Sequence, residues 1–359
     1  MSGPAGSARA RARDLGVAPG TLPPGPVNAI TDVPGIRVGH ATVIEAAGAD
    51  HDEIRTGVTA VVHDALIGAD RGGRRTLPAG LAVYNGFGKM TGATQIEELG
   101  SVETPVLLTS TLSVFRVADA LLSYLRARPA FARAGSLNPV VAETNDGYLS
   151  DIWARRVTAA DVAAALDSAA AGPVAEGCVG AGTGTRALGF KAGIGTSSRR
   201  VPAVAGQPAT VGALVQANFT GLLTVAGRPI RPRQPAPAAA GNSCVIVLAT
   251  DVSLDSRTLR RLASRAFPAM ARTGSDFSGR SGDYAIALST GTLGPGTGGA
   301  PTPVSGAVPV PDDELDLLFT AAMEATEEAI LNSLCLAVTT AGYQGHVTEA
   351  VPLAAISGR

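Results

Sequence analysis

The chain has 359 residues, with 29 Lys and Arg against 30 Asp and Glu, and a formal net charge of −1. That balance leaves no electrostatic footprint for nucleic acid. With 45% hydrophobic and 16% charged residues, the chain can bury a large core under a lightly charged surface. Aromatics are only 4%, so that core is built from Val, Leu, Ile and Ala. Cys178, Cys244 and Cys335 have neither CxxC nor metal-type spacing, and His40, His51, His63 and His346 are scattered. No apolar run reaches the ~18–20 residues of a membrane span, and the Arg-bearing N-terminus lacks the apolar stretch of a secretory signal. These features predict a cytoplasmic protein with neither metal nor cofactor, bound to neither nucleic acid nor membrane.

Residues 1–24 are rich in Gly, Ala, Arg and Pro and read as a mobile arm or surface strap. Residues 36–43 alternate apolar and polar as a half-buried strand does, and 57–62 form a more apolar strand. A Gly/Arg-rich loop over 64–80 leads to a glycine-thick strand and loop at 81–92, with Tyr84, Phe87 and Met90 as candidate pocket walls or core residues. A short helical turn at 96–100, a buried strand at 105–111 and an amphipathic helix over 113–128 follow. Residues 140–149 read as a strand breaking into a polar turn, and 159–170 as an Ala-rich helix with Thr158 and Asp161 at its start. The glycines of 177–185 do not make a dinucleotide fingerprint, because another Gly-punctuated strand rather than a helix follows them. A strong strand at 209–218 ends in Asn218. Beyond the linker come a helix over 256–273 with Pro268 inside it, a polar loop at 274–283, a strand at 284–290 and a loose loop at 291–311. The last long helix, from about 312 to 337, carries acidic residues at its positive end.

The Pro/Ala-rich stretch 228–240 runs directly into Gly241-Asn242-Ser243-Cys244 and the apolar run 245–249. Read alone, this join is a linker meeting an ordinary strand. The other reading is a cut before Ser243, which would put a hydroxyl nucleophile and an α-amine on one residue. Ser281 and Asp283, two apart, place a hydroxyl and a carboxylate on one side of an extended backbone, or serve as turn formers. Asn218 is either a strand cap or an amide donor for an oxyanion. Glu143 is either a surface carboxylate or a site for a substrate ammonium. No histidine lies in a catalytic-looking stretch, which favours an α-amine over a Ser-His-Asp triad as base.

The ordered matches at residues 11–16, 20–35, 37–40, 55–59, 84–92, 214–218 and 324–332 span nearly the whole chain. Through them it resembles the DmpA-type family of self-processing N-terminal-nucleophile peptidases, which includes L-aminopeptidase/D-esterase enzymes and β-peptidyl aminopeptidases. The resemblance implies an αββα four-layer sandwich, shared with ornithine acetyltransferase, as a single catalytic domain over 25–359. It implies cleavage of the Asn242–Ser243 bond into an α fragment, 1–242, and a β fragment, 243–359, and assembly of these αβ units as a homotetramer. Carried over residue by residue, Ser243 is the nucleophile, Ser281 and Asp283 take part in proton transfer, and Asn218 is the oxyanion donor. Glu143 holds the substrate amine, with Tyr148 the nearest match to a neighbouring Tyr. The β-peptidase pattern has Glu where this chain has Asp283, one methylene shorter. The implied activity is aminopeptidase or amidase action on short peptides and amino-acid amides or esters. Acyl transfer from the same acyl-enzyme is an alternative, as is a non-catalytic oligomeric binding protein of the same fold.

Overall fold

A computed structural model describes residues 9–69, 75–233, 242–291 and 310–357. Two β-sheets stack face to face with helices on both outer sides. The first sheet has strand order β1 (Ile36–Glu45), β2 (Ile54–His63), β5 (Val106–Ser110), β6 (Val140–Thr144), antiparallel except for the parallel β5–β6 pair. The second runs β4 (Ser101–Val102), β3 (Leu77–Gly86), β10 (Ser281–Ser289), β9 (Asn242–Thr250), β8 (Gln207–Asn218), β7 (Ile194–Val204), with only β9 and β10 parallel.

Three apolar clusters mark the layer boundaries. Val38, Val61 and Leu108 meet Leu214, Val245, Val247 and Ile286 between the sheets, joined by Ile96 of the short helix α1 (Ala93–Leu99). The outer face of the first sheet packs under α2 (Val114–Arg126) and α3 (Ala159–Asp167) through Val58, Leu107, Leu121 and Val162. The outer face of the second packs under α4 (Ser256–Ala263), α5 (Ala266–Thr273) and α6 (Asp312–Cys335) through Ile246, Leu248, Leu262, Met270 and Ile330. Helix, sheet, sheet, helix is the αββα sandwich expected from the sequence.

Some boundaries differ from the sequence reading. Strand β3 starts at Leu77, inside the expected loop. The predicted 256–273 helix is two helices, and the break falls at 264–265, ahead of Pro268. Proline is tolerated in the first turn of α5, where its missing N–H has no intrahelical acceptor. The segment 186–191 forms two two-residue strands that pair with each other, and β7 was not anticipated as a strand. Most of the linker, 234–241, and residues 292–309 of the loose loop lie outside the described residues.

Strand β7 explains why it was hard to read. It buries Thr196, Ser197, Ser198 and Arg199, each satisfied by distant partners. Arg199 is fully buried and pairs with Glu324 at 3.2 Å and Glu328 at 2.7 Å on α6. Arg13 of the N-terminal segment reaches the same Glu328 at 2.7 Å, and Glu324 accepts the backbone N–H groups of Thr21 and Leu22. From residue 9 onward the arm is thus strapped to the helical layer. Close approach of α6 to β7 depends on Gly195, where a Cβ would lie 1.9 Å from Ala329 O. Arg199→Ala strands two buried carboxylates beside a single remaining arginine. It is expected to cost about 3–5 kcal/mol, measurable by urea unfolding.

Candidate active site

The site forms where β8, β9 and β10 end together. Along β9, Val245 and Val247 face the other sheet while Cys244, Ile246 and Leu248 face the helices. Alternation therefore turns Ser243 toward the inter-sheet side. Ser243 pairs with Asn218 across the antiparallel β8 ladder and with Gly282 across the parallel β10 ladder. Its side of the sheet is crowded enough to leave it only 4% exposed. Its Oγ donates a hydrogen bond to the carbonyl oxygen of Asn242 at 2.6 Å.

Asn218, directly opposite, shares that face and is 1% exposed. Its Oδ1 accepts the backbone N–H of Arg186 at 3.1 Å. This fixes the amide orientation and turns the Nδ2 donors to the other side of the group.

Ser281 and Asp283 lie in β10, not in the expected polar loop, and both are 1% exposed. Their side chains share one face, as predicted, with Ser281 Oγ donating to Asp283 Oδ1 at 2.7 Å. That face is the helical side, shared with Ala285 and Ala287, so Ser243's hydroxyl and this pair sit on opposite faces of the strand ends. The strand backbone, with the nitrogen of Ser243 in it, runs between those two faces. Burial pushes the Asp283 carboxyl above its ordinary range, opposed by bonds from Ser281 and Asn85. Asn85 Nδ2 donates to Asp283 Oδ2 at 2.9 Å. Sequence reading missed this residue. The β3–β10 register slips between Asp283 and Tyr284, leaving Tyr84 as the extra residue of a β-bulge that aims Asn85 at the carboxylate.

Glu143, at the end of β6, reaches the same region from the opposite sheet. It is 1% exposed, Oε1 accepts the Lys89 N–H at 2.9 Å, and Oε2 has no hydrogen-bond partner among the described residues. Burial raises its pKa, and the Thr111 hydroxyl, the Lys89 N–H and the Lys89 ammonium, the last 4.0 Å away, act against that rise. Gly88 bridges Glu143 to the strand ends. A Cβ on Gly88 would lie 3.3 Å from Glu143 Oε1, and one on Gly282 would lie 2.6 Å from Gly88 Cα. Glycine at both positions lets the 86–89 segment lie against β10. Tyr284 closes this corner by donating to Gly88 O at 2.9 Å.

Tyr148 is set further out. It stacks on His346, with ring centroids 4.3 Å apart, and lies under the Arg186 guanidinium at 4.0 Å. It thus touches the residue that orients Asn218 rather than Glu143. Of the candidate pocket walls, Met90 packs toward the inter-sheet core, whereas Tyr84 and Phe87 are exposed.

Asn242, the other half of the expected cleavage site, is held by its side chain. Oδ1 accepts the Thr220 N–H at 2.8 Å, while Nδ2 donates to Thr220 Oγ1 at 2.9 Å and to Ser278 Oγ. Neither Thr220 nor Ser278 stood out in the sequence, since their partners are 22 and 36 residues away. Among the described residues no group of three or more His, Cys, Asp or Glu could hold a metal ion.

The model of peptidase family S58 matches residues 28–348. A β-peptidyl aminopeptidase, BapA, of Sphingosinicella microcystinivorans is 40% identical, the match covering 98% of this chain and 92% of that protein. Among solved structures, a β-aminopeptidase of a Burkholderia species is 42% identical, covers 97% of both chains and gives a TM-score of 0.86. The L-aminopeptidase D-Ala-esterase/amidase of Ochrobactrum anthropi, described as a prototype of the serine aminopeptidases and a variant of the Ntn hydrolase fold, is 38% identical. It covers 96% of both chains with a TM-score of 0.87. With the family model spanning all the strands of both sheets and relatives of this identity matching almost end to end, the chain belongs to peptidase family S58 and is an aminopeptidase of the N-terminal-nucleophile type.

Proposed function

We propose that this aminopeptidase cuts its own Asn242–Ser243 bond and then uses Ser243 as both nucleophile and base carrier. The observation that carries this reading is the position of Ser243. It is the second residue of a central strand, between Asn218 and Gly282, with its hydroxyl already against the carbonyl oxygen of Asn242. Before the cut, the hydroxyl attacks the Asn242 carbonyl carbon. After it, the freed α-amine, with a pKa of about 7.7–8 before environmental effects, takes the proton as Ser243 attacks a substrate carbonyl.

Ser281 and Asp283 serve that amine. Ser281's only hydroxyl hydrogen is committed to Asp283, so its oxygen is free to accept from the amine, while the carboxylate steadies the ammonium as it forms. The Asn218 Nδ2 group faces the developing oxyanion. Glu143 holds the substrate's free amine, which gives preference to exopeptidase over endopeptidase cleavage. Tyr148 acts on the substrate pocket through Arg186. The substrates are short peptides and amino-acid amides or esters, with β-amino acid residues among those accepted at the N-terminus. The αβ units assemble as a homotetramer, a reading supported by the large exposed side chains Phe115 and Trp153. Three free cysteines fit action in a reducing cytoplasm.

Denaturing gels and intact mass of the purified protein, followed by assays on p-nitroanilides and amides of α- and β-amino acids, test the proposal. A whole chain with no activity on any of them would refute it. Activity is expected to rise with pH through about 7–8 as the α-amine loses its proton. Asp283→Asn is expected to slow self-cleavage and turnover together, because one carboxylate serves both, and a processing rate equal to the parent chain's would break that link.

A further inference from the structure

We infer that Thr220, Ser278 and Asp276 form a clamp on the Asn242 side chain that positions the scissile carbonyl for self-cleavage. The inference rests on the self-cleavage reading above and names residues that reading does not use.

The clamp is directional. Thr220 Oγ1 donates to Asp276, with 2.7 and 2.9 Å to its two oxygens. A hydroxyl has one hydrogen, so Thr220 Oγ1 can meet Asn242 Nδ2 only as an acceptor. The Thr220 N–H then faces Asn242 Oδ1, and the carboxamide has one allowed orientation. Asp276 also accepts the Ser278 N–H at 3.2 Å, and its own N–H donates to Thr220 O at 3.2 Å. One carboxylate therefore ties both arms of the clamp together. The loop that carries it is anchored in turn, since Asn85 Nδ2 donates to Phe277 O at 3.2 Å and the Ser281 N–H donates to Ser278 O at 3.0 Å.

A strand end normally frays, because its last residue is paired on one side of its backbone only. Asn242 is the first residue of β9, and the residues before it are rich in Pro and Ala. Its backbone register with Ser281 and its clamped side chain together remove the rotation that would swing the carbonyl away from Ser243 Oγ. In self-cleavage the Oγ–C bond to Asn242 forms and the C–N bond to Ser243 breaks, with the hydroxyl proton passing to that nitrogen. Water then hydrolyses the ester, leaving the Asn242 carboxylate and the Ser243 hydroxyl. The rate of the first step depends on where the carbonyl is held, and a displacement of ~1 Å can cost about 100-fold.

The test follows maturation of freshly refolded full-length chain on denaturing gels. Thr220→Val and Ser278→Ala are expected to lengthen the half-time of cleavage at least ~10-fold. Thr220→Ser, which keeps the hydroxyl, is expected to restore it to within about 3-fold of the parent. Asn242→Ala removes the clamped group without altering either loop and is expected to be as slow as Thr220→Val. Cleavage of Thr220→Val, Ser278→Ala and Asn242→Ala at the parent rate overturns the clamp, as does a Thr220→Ser chain as slow as Thr220→Val. A parent chain that never cuts overturns the self-cleavage reading instead.

Discussion

Replacing Ser243 by alanine is expected to leave a whole 359-residue chain with no aminopeptidase activity. Both losses have one origin. The hydroxyl that rests on the Asn242 carbonyl is the attacking group in the proposed self-cleavage, and the same oxygen attacks substrate afterwards. Removing a serine nucleophile from a hydrolytic site costs on the order of 10⁶-fold in turnover. The alanine chain should migrate as one band of 35.9 kDa, whereas the parent should give fragments of residues 1–242 and 243–359. A cut at the same bond in the alanine chain would show that some other group attacks. Fold disruption is not the expected cause of either loss, because alanine fits the tight Ser243 position with one atom fewer and its backbone pairs as before.

The same variant tests why cleavage would not split the protein. The fragment beginning at Ser243 supplies β9 and β10, the two central strands of the six-stranded sheet, together with α4, α5 and α6. Strand β9 is hydrogen-bonded on both sides to β8 and β10, and β10 to β3. Residues 244–249 are fully buried. Separating the fragments would expose the whole inner face of one sheet and most of the core under α6. Parent and Ser243→Ala protein should therefore elute together on size-exclusion chromatography, although only one of them is cut.

The layers of this fold were legible where apolar periodicity is strong. Residues 245–248 read as a buried strand because nothing polar interrupts them, and α6 was placed by its stripe and its acidic start. Reading failed where burial is polar. Strand β7 shows Thr196-Ser197-Ser198-Arg199-Arg200, which has no apolar alternation, and its side chains are satisfied by Asp32, Glu324, Glu328 and Ala325 O, far away in the chain. Ser281 and Asp283 looked like loop because Gly279 precedes them and Gly282 separates them, yet pairing with β9 draws them into a strand. Ser243, Asn218, Glu143, Ser281 and Asp283 were picked out largely through family resemblance, which local chemistry alone left ambiguous. Asn85, Thr220 and Ser278 act through hydrogen bonds to residues far away in the chain, and no spacing within the chain announces those.

Glu143→Gln is expected to separate the two reactions that the site is proposed to perform. An incoming substrate brings an ammonium, and Glu143, with the Lys89 N–H on Oε1 and the Thr111 hydroxyl close by, has in its buried Oε2 an oxygen with no hydrogen bond of normal geometry to offer it. Breaking a buried charge pair costs about 3–5 kcal/mol, which corresponds to roughly two to nearly four orders of magnitude in kcat/KM. Self-cleavage should proceed near the parent rate, because Asn242 presents a peptide nitrogen rather than an ammonium. Stability should move in the opposite direction from activity. Burial raises the Glu143 pKa above its ordinary 4.5, so the folded protein binds that proton more tightly than the unfolded chain does. Its contribution to stability is complete below about 4.5 and is lost as pH rises through the folded value. At pH 8 the free enzyme therefore carries the cost of a dehydrated carboxylate, which glutamine removes. Melting temperatures measured from pH 4 to 9 should show Glu143→Gln above the parent at alkaline pH, with the gap closing toward pH 4. Equal loss of self-cleavage and turnover would instead make Glu143 part of the scaffold that holds Gly88 and Lys89 in place.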